Sequence, residues 1–414
     1  LMEYVMSNVP KLRFKEFSEE WAEKKLLSLS ENGFSNGAFN DPKKVGSGYK
    51  IINVKDMYID GTINTNSLTK VALDEKEFLK NRVEYGDIFF TRSSLVKEGI
   101  AYSNINLSND EDLTFDGHLI RMRPKKEICS PIFLYYNFKT QRVRNQFIVR
   151  GKTTTMTTIG QDDISSVNIS LPSKQEQEKI ALFLTSVDTK IEQLTKKEQL
   201  LQQYKKSVMQ KIFNQEIRFK DDDGSEFCDW EEYTLNDFLI PALREVEKPK
   251  ENYLAIGVRS HCKGTFQKPD SEPDKIAMDR LYVLKENDLI VNITFAWESA
   301  IAIVKKEDEG GLVSHRFPTY TFDEKISNSK YFQYVIIQKR FRTMLDLISP
   351  GGAGRNRVMS KKDFLTLKWE LPCIEEQNKI ANFLSSIDTK IQQTQKQLES
   401  SKEFKKALLQ QMFI

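Results

Sequence analysis

Four cysteines (Cys129, Cys228, Cys262, Cys373) and three histidines (His118, His261, His315) are the chain's whole supply of thiolate and imidazole ligands. No two cysteines have the C-x-x-C spacing of a structural zinc site. His261 beside Cys262 is the one adjacency, and neighbouring side chains on a strand point apart, so no metal site is expected. Gly151-Lys152-Thr153 ends like a phosphate-binding loop, but Gln146 stands where the first glycine of that loop belongs. Gly46-Ser47-Gly48 lacks the third glycine and the preceding strand of a dinucleotide fingerprint. The tetrapeptides of amino-group methyl transfer, G-x-S-x-G and H-E-x-x-H are all missing. Asp162-Asp163 and Glu375-Glu376 fall at expected element starts, where capping and solvated charge account for them. Covalent chemistry and a bound cofactor are therefore not expected of this chain.

Basic clusters point to a different chemistry. Between Lys139 and Gly160 stand Lys139, Arg142, Arg144, Arg150 and Lys152 with no acidic residue, followed by the hydroxyl run Thr153, Thr154, Thr155, Thr157 and Thr158. Between Lys339 and Lys362 stand Lys339, Arg340, Arg342, Arg355, Arg357, Lys361 and Lys362 against Asp346 alone. The glycine-rich run from Gly351 leads into Arg355-Asn356-Arg357 and allows close backbone approach. Arg, Asn and Thr are the donors that contact phosphates and base edges. One such cluster would read as a solvated helix face with a flexible loop. Two at matched places favour nucleic acid as the partner. The net charge of +3, averaged over the chain, decides nothing here.

The places are matched because the chain is a tandem repeat with a period of 200 residues. Leu171 to Phe213 and Leu371 to Phe413 agree at 20 of 43 positions without a gap. A second echo opens each half, Leu12-Arg13-Phe14-Lys15 with Trp21 against Ile217-Arg218-Phe219-Lys220 with Trp230. After each Leu-Pro the apolar residues step by four and three: Ile180, Leu184, Val187, Ile191, Leu194, Leu201, Val208 and Ile212, then Ile380, Leu384, Ile387, Ile391, Leu398, Leu408 and Met412. That heptad seam predicts two long helices of about 39 residues, each roughly 58 Å, packed on one another. Ser173 with Glu176 reads as a capping box, which Cys373 removes from the second copy. Glu198, Lys205, Thr394, Ser401 and Lys405 interrupt the seam and are expected to set register or face solvent.

Between the helices lie short β-rich runs broken by Gly, Asn, Asp and Pro. Tyr49 to Val54 matches Tyr253 to Val258, and Gly86 to Thr91 matches Asn287 to Asn292. Helical patterns follow at Pro131 to Val149 and Ser329 to Ile348. The expected architecture is α+β: two β-rich domains, 1–170 and 214–370, joined and spaced by two long antiparallel coiled-coil helices, 171–213 and 371–414, with a pseudo-two-fold internal repeat.

The pattern Leu-Pro-x-x-x-Glu-Gln-x-x-Ile-Ala, found at Leu171 to Ala181 and again at Leu371 to Ala381 with Asp188, Ile191, Asp388 and Ile391 beyond, resembles the conserved regions of type I restriction-modification specificity subunits. The resemblance spans essentially the whole chain. It implies a subunit without catalysis of its own, whose two target-recognition domains each read half of an interrupted sequence in double-stranded DNA. It implies that the helices set the gap, that two methyltransferase subunits dock on the repeated regions, and that a restriction translocase subunit joins them. S-adenosylmethionine would belong to the methyltransferase, and ATP with Mg²⁺ to the translocase. Candidate base readers follow the second matched strand: Arg92, Ser93 and Ser94 in the first domain, Thr294, Trp297 and Glu298 in the second. The loops Arg150, Lys152, Thr153, Thr154 and Thr155, and Arg355, Asn356 and Arg357, are the stronger candidates for DNA contact. The exposed faces of the helices, where Gln177, Lys190, Gln377 and Lys390 recur, are the expected docking surface. The other readings are a non-DNA protein-interaction scaffold with paired long helices and, less well supported by motifs, a free-standing nucleic-acid enzyme.

With 414 residues the chain is too long for one ordinary core, and 39% hydrophobic content with 26 Phe supplies more than one. No apolar run of spanning length occurs and the first residues lack a signal pattern, so a cytoplasmic protein with no membrane partner is expected. Leu1 is expected to derive from an alternative start codon or an added residue, with Met2 or Met6 as the working start.

Overall fold

The computed structural model of the chain describes residues 9–39, 42–59, 61–349 and 357–414. The chain forms two compact units, the first of residues 1–198 with 393–414 and the second of residues 199–392. Division by compactness cuts both long helices, which the sequence pattern keeps whole.

Those helices run Lys174–Phe213 and Ile374–Gln411. At about 1.5 Å per residue, the 40 residues of the first extend roughly 60 Å. In the first unit they pair antiparallel: Lys405 lies 2.5 Å from Asp188, and the Gln395 amide donates to Glu198 at 2.7 Å. Ten residues forward on one helix match ten back on the other. In the second unit Lys205 lies 2.5 Å from Asp388. Glu198, Lys205 and Lys405, which interrupt the apolar seam, are thus the residues that set its register. The remaining seam is buried at Ile180, Leu184, Leu194, Val208 and Ile212, and at Ile380, Leu384, Ile387, Ile391, Leu398, Leu408 and Met412.

Capping follows the expected box only halfway. The Glu176 backbone N–H donates to Ser173 Oγ at 3.4 Å. The Glu176 carboxylate does not fold back, because Arg13 holds it through two nitrogens at 2.8 and 2.7 Å, and a bidentate guanidinium competes well against one backbone amide. Arg218 holds Glu376 in the same way at 3.2 and 2.8 Å, with Trp230 Nε1 adding a third donor at 3.2 Å. Glu376 is therefore buried and paired, not the solvated charge that its position at a helix start suggests.

Each domain is tied shut where it meets a helix. Ala22–Lys25 pairs antiparallel with Asn168–Leu171, and Glu231–Thr234 pairs with Lys368–Leu371. In the first unit a four-stranded sheet orders Ser30–Asn36, Leu119–Pro124, Ile88–Thr91 and Ser103–Ile105. Its counterpart in the second orders Leu239–Pro241, Thr319–Phe322, Leu289–Val291 and Ile301–Ile303. The matched runs from Tyr49 and Tyr253 fall on strands Val45–Ile52 and Tyr253–Val258 of separate sheets. The helical patterns resolve into helix pairs, Pro131–Asn137 with Gln141–Arg150 and Ser329–Val335 with Lys339–Leu347. Each domain's main core extends onto the long helices. Trp21, Phe133 and Phe147 share a core with Leu184, Leu408 and Phe413, and Phe332, Phe341 and Trp369 share one with Ile212, Ile380 and Leu384.

Candidate nucleic-acid interface

In the first unit, residues nearly sixty positions apart in sequence converge on one small sheet. Ser93–Ser94 pairs antiparallel with Thr157–Thr158, and Thr157–Thr158 pairs in turn with Lys152–Thr153. Arg92 directly precedes this sheet, in which Ser93 is in register with Lys152 across Thr158 and Ser94 with Thr153 across Thr157, with Thr154 and Thr155 exposed at its turn. Arg92 is exposed while its backbone is pinned on both sides: its N–H donates to His118 O at 3.2 Å, and its carbonyl accepts from Ile159 N at 3.0 Å. Thr153 and Thr157 share a hydroxyl hydrogen bond at 2.9 Å. Lys152 is 77% exposed, with Asp163 at 3.5 Å. The surface combines hydroxyl donors and acceptors with two exposed cations on a pinned backbone. Such a set can meet phosphates and base edges without first ordering itself.

Not every basic residue of the first cluster belongs to that surface. The Arg144 guanidinium donates to three carbonyls, Ala101 at 2.7 Å, Glu98 at 2.8 Å and Ile100 at 2.6 Å. It braces the 98–101 turn beneath Ser93 and Ser94, and burial holds its pKa below the usual arginine value. Lys139 Nζ donates to the Tyr135 hydroxyl at 2.5 Å. Arg150 caps its own helix end, donating to Gln146 O at 3.0 Å and Ser166 Oγ at 2.9 Å.

The second unit arranges its candidates differently. Arg355 and Asn356 lie outside the described residues. Arg357 donates to Ser349 O at 3.0 Å and to Asp346 Oδ1 at 2.7 Å, and its guanidinium carbon sits 5.2 Å from the Trp297 ring centroid. Trp297 is half-buried beneath this cation. The Thr294 N–H donates to Asn292 Oδ1 at 3.1 Å, and Glu298 accepts from the Ser260 hydroxyl at 2.5 Å. Thr294 and Trp297 thus flank the turn that meets Arg357, as Ser93 and Ser94 flank the strand that meets Lys152. Arg340 stacks on Trp369 at 5.2 Å and Arg342 donates to Ser299 Oγ at 3.2 Å, while Lys361 and Lys362 are exposed.

Two expectations about the helices and the placement of His261 and Cys262 on a strand need correction. Gln177 and Gln377 are not on an exposed face but fully buried. Gln177 accepts from Ser130 N at 2.9 Å and donates to Pro172 O at 2.9 Å; Gln377 accepts from the Ser327 hydroxyl at 3.0 Å and donates to Pro372 O at 2.9 Å. A primary amide both donates and accepts, so it can clamp the loop entering each short helix to the start of the long one. The Glu-Gln pair of the repeated motif is therefore a structural joint. Lys190 and Lys390 are exposed. His261 and Cys262 lie not on a strand but in left-handed backbone, at φ 62° and 54°. Among the described residues no group of three or more His, Cys, Asp or Glu could hold a metal ion.

Residues 18–203 and 229–400 each match the type I restriction modification DNA specificity domain. The chain belongs to this family. A Methanocaldococcus jannaschii protein named as the MjaX specificity subunit of a type I restriction enzyme is 26% identical over 418 residues, covering 98% of this chain and 96% of that protein. The MjaVIII specificity subunit of the same organism is 23% identical over 307 residues, covering 70% and 71%. Among solved structures, the S subunit of a type I restriction-modification system from M. genitalium has TM-score 0.57 at 16% identity, covering 98% of this chain and 99% of that one. A chain from a structure of type I R-M complex assembly and conformational transition has TM-score 0.52 at 12% identity, covering 95% and 97%. At these identities the structural likeness establishes the fold alone: two β-rich domains with two long helices. The specificity family also places the duplicated Leu-Pro-x-x-x-Glu-Gln motif in context, since each copy closes one domain and opens one helix.

Proposed function

We propose that this chain is the DNA-reading subunit of a type I restriction-modification complex, in which each domain reads one half of a bipartite target and the helix pair sets the gap between the halves. The observation that carries the reading is a repeated frame holding two unlike reading surfaces. Arg13 on Glu176 and Lys405 on Asp188 recur as Arg218 on Glu376 and Lys205 on Asp388. Ser93, Ser94, Lys152 and Thr153 have no like-for-like replacement beside Trp297 and Arg357. One scaffold presenting two different donor sets suits an asymmetric, interrupted sequence, because base edges in the major groove are told apart by donor and acceptor pattern.

Methyltransferase subunits would dock on the exposed faces of the repeated helices, at Lys190 and Lys390, and a restriction translocase would join the assembly. This chain would supply no catalytic group. S-adenosylmethionine would be bound by the methyltransferase, and ATP with Mg²⁺ by the translocase. No helix among the described residues is long and apolar enough to cross a membrane, and the proposed site of action is DNA in the cytoplasm.

The test is co-expression with the cognate methyltransferase and mapping of modified bases across the host genome. The expected result is one interrupted motif with two fixed halves. Exchange of residues 231–370 for another member's domain should change one half and spare the other. Methyl transfer by the purified single chain, or a change in both halves after the exchange, would overturn the reading.

A further inference from the structure

The two interhelical ion pairs each hold a third partner. Asp188 accepts from Lys405 Nζ at 2.5 Å and from the Tyr136 hydroxyl at 2.8 Å, and Lys405 stands 5.6 Å from the Tyr136 ring centroid. In the second unit Asp388 accepts from Lys205 Nζ at 2.5 Å and from the Tyr334 hydroxyl at 2.9 Å, with Lys205 at 5.2 Å from the Tyr334 ring centroid. The aspartates and lysines are copies at the 200-residue period. The tyrosines lie outside the strongly repeated segment, and each is the sixth residue of the short helix that opens the matched helix pair of its domain.

Both phenols are 2 to 3% exposed, and each meets two groups of one long helix, Asp188 with Thr185 or Asp388 with Ser385. Each carboxylate carries two jobs at once. It fixes how one long helix stands against the other through lysine, and it fixes a short domain helix through tyrosine. Tyr136 lies in Pro131–Asn137, followed by Gln141–Arg150 and then the Lys152–Thr153 strand of the candidate reading surface. Tyr334 lies in Ser329–Val335, followed by Lys339–Leu347 and, further on, Arg357. A slide of one helix past the other would take the lysine away from the carboxylate and from the phenol ring it stands over, while the domain stays with the helix that carries the aspartate. A purely apolar seam supplies no such link, since hydrophobic contact is non-directional.

We propose that Tyr136 and Tyr334 are positioning residues for gap selectivity, tying each reading domain to the register of the helix pair through Asp188 and Asp388. The inference rests on the proposed function and adds to it a named device that makes the gap exact instead of approximate.

The experiment uses the full chain and its Tyr136→Phe/Tyr334→Phe variant, which removes two hydroxyls and leaves the packing. The probe is a duplex whose target the wild type has selected from a random pool, in a series with the gap lengthened or shortened in single base-pair steps. For the wild type, binding should fall sharply on either side of one gap. For the variant, the ratio between the best gap and its neighbours should shrink roughly fivefold for each hydroxyl removed, the equilibrium counterpart of one ordinary hydrogen bond apiece, while binding to duplexes carrying a single half-site stays unchanged. Tyr334→Phe alone carries the same expectation at smaller depth and serves if the double variant does not fold. A parallel loss on every duplex with the ratio preserved would mean a merely structural role and would overturn the inference. So would an unchanged gap profile beside a sharp wild-type optimum, which leaves the proposed function standing. A wild type that binds its selected duplex with no gap optimum would overturn both.

Discussion

Arg13 clasps Glu176 across 163 residues of sequence, with Nε at 2.8 Å and a terminal nitrogen at 2.7 Å, where the first long helix leaves its domain. The carboxylate is 1% exposed and the guanidinium 10%. The hydrogen bond that the guanidinium donates to the Glu176 carboxylate raises the arginine pKa against the opposing effect of burial. Removing one partner of such a pair leaves a buried charge without compensation, which costs about 3–5 kcal/mol.

Glu176→Ala and Glu376→Ala should therefore each lower the melting temperature, by roughly 10 °C on the scale of about 2–4 °C per kcal/mol for units of this size. The Glu376 variant should lose more, because Trp230 Nε1 also donates to that carboxylate at 3.2 Å. Thermal scans at one pH and protein concentration decide this; a shift under about 3 °C in both variants would contradict it.

Arg92→Ala and Lys152→Ala should weaken DNA binding through the first half-site only. A phosphate contact should flatten the dependence of log affinity on log salt by about one, and a bidentate base contact should remove about 1–3 kcal/mol at one position. Titrations at several salt concentrations on duplexes mutated in either half separate the two cases. Equal losses on both halves would place neither residue at a half-site.

Arg357→Ala should behave differently from these two, since its guanidinium holds the 346–349 turn and covers Trp297. Loss of second-half-site affinity should come with increased Trp297 solvent exposure, visible as quenching of its fluorescence by added iodide in a variant lacking the other tryptophans. Weakened DNA binding without any change in quenching would show that Arg357 contacts DNA directly.

One heptad inserted into each helix, after Leu194 and at Leu398, falls between the Asp188–Lys405 pair and the Lys205–Asp388 pair and preserves both. The helices lengthen by about 10.5 Å, and the best gap should grow by about three base pairs at about 3.4 Å each. Rotation of the duplex over that length, at about 10.5 bp per turn, should reduce affinity at the new optimum. A folded insertion protein whose best gap is unchanged would show that helix length does not position the domains.

Cys129 reports on folding through its thiol. Burial pushes its pKa up to about 12, so the unfolded chain, near the ordinary thiol value, releases its proton first. The sign follows: the contribution is full below the unfolded pKa and is lost as pH rises toward the folded one, at about 1.4 kcal/mol per pH unit. Stability should fall through alkaline pH, and Cys129→Ala should flatten that fall. At pH 8 a thiol reagent should label the exposed Cys228 at once and Cys129 only on unfolding; immediate labelling of Cys129 would contradict its burial.

The period of 200 residues, the heptad seam and the β-rich character of the intervening domains are legible in the linear chain because each is a local or translational property of residue order. The family follows from the same residues, through a motif repeated at fixed spacing. The roles of Glu176, Gln177, Glu376 and Gln377 were not legible. A charged or amide side chain at a helix start looks solvated until a partner from far away, Arg13 or Ser130, is brought onto it. Nor could residue type sort the arginines. Backbone carbonyls are present at every position, so only the folded backbone decided that Arg144 and Arg150 brace their own domain while Arg92 stands exposed just before, and Lys152 within, the sheet that holds Ser93 and Thr153. Periodicity names the faces of an element, but which distant groups meet on them depends on strand register and chain closure, and those are settled by the packing of the whole unit.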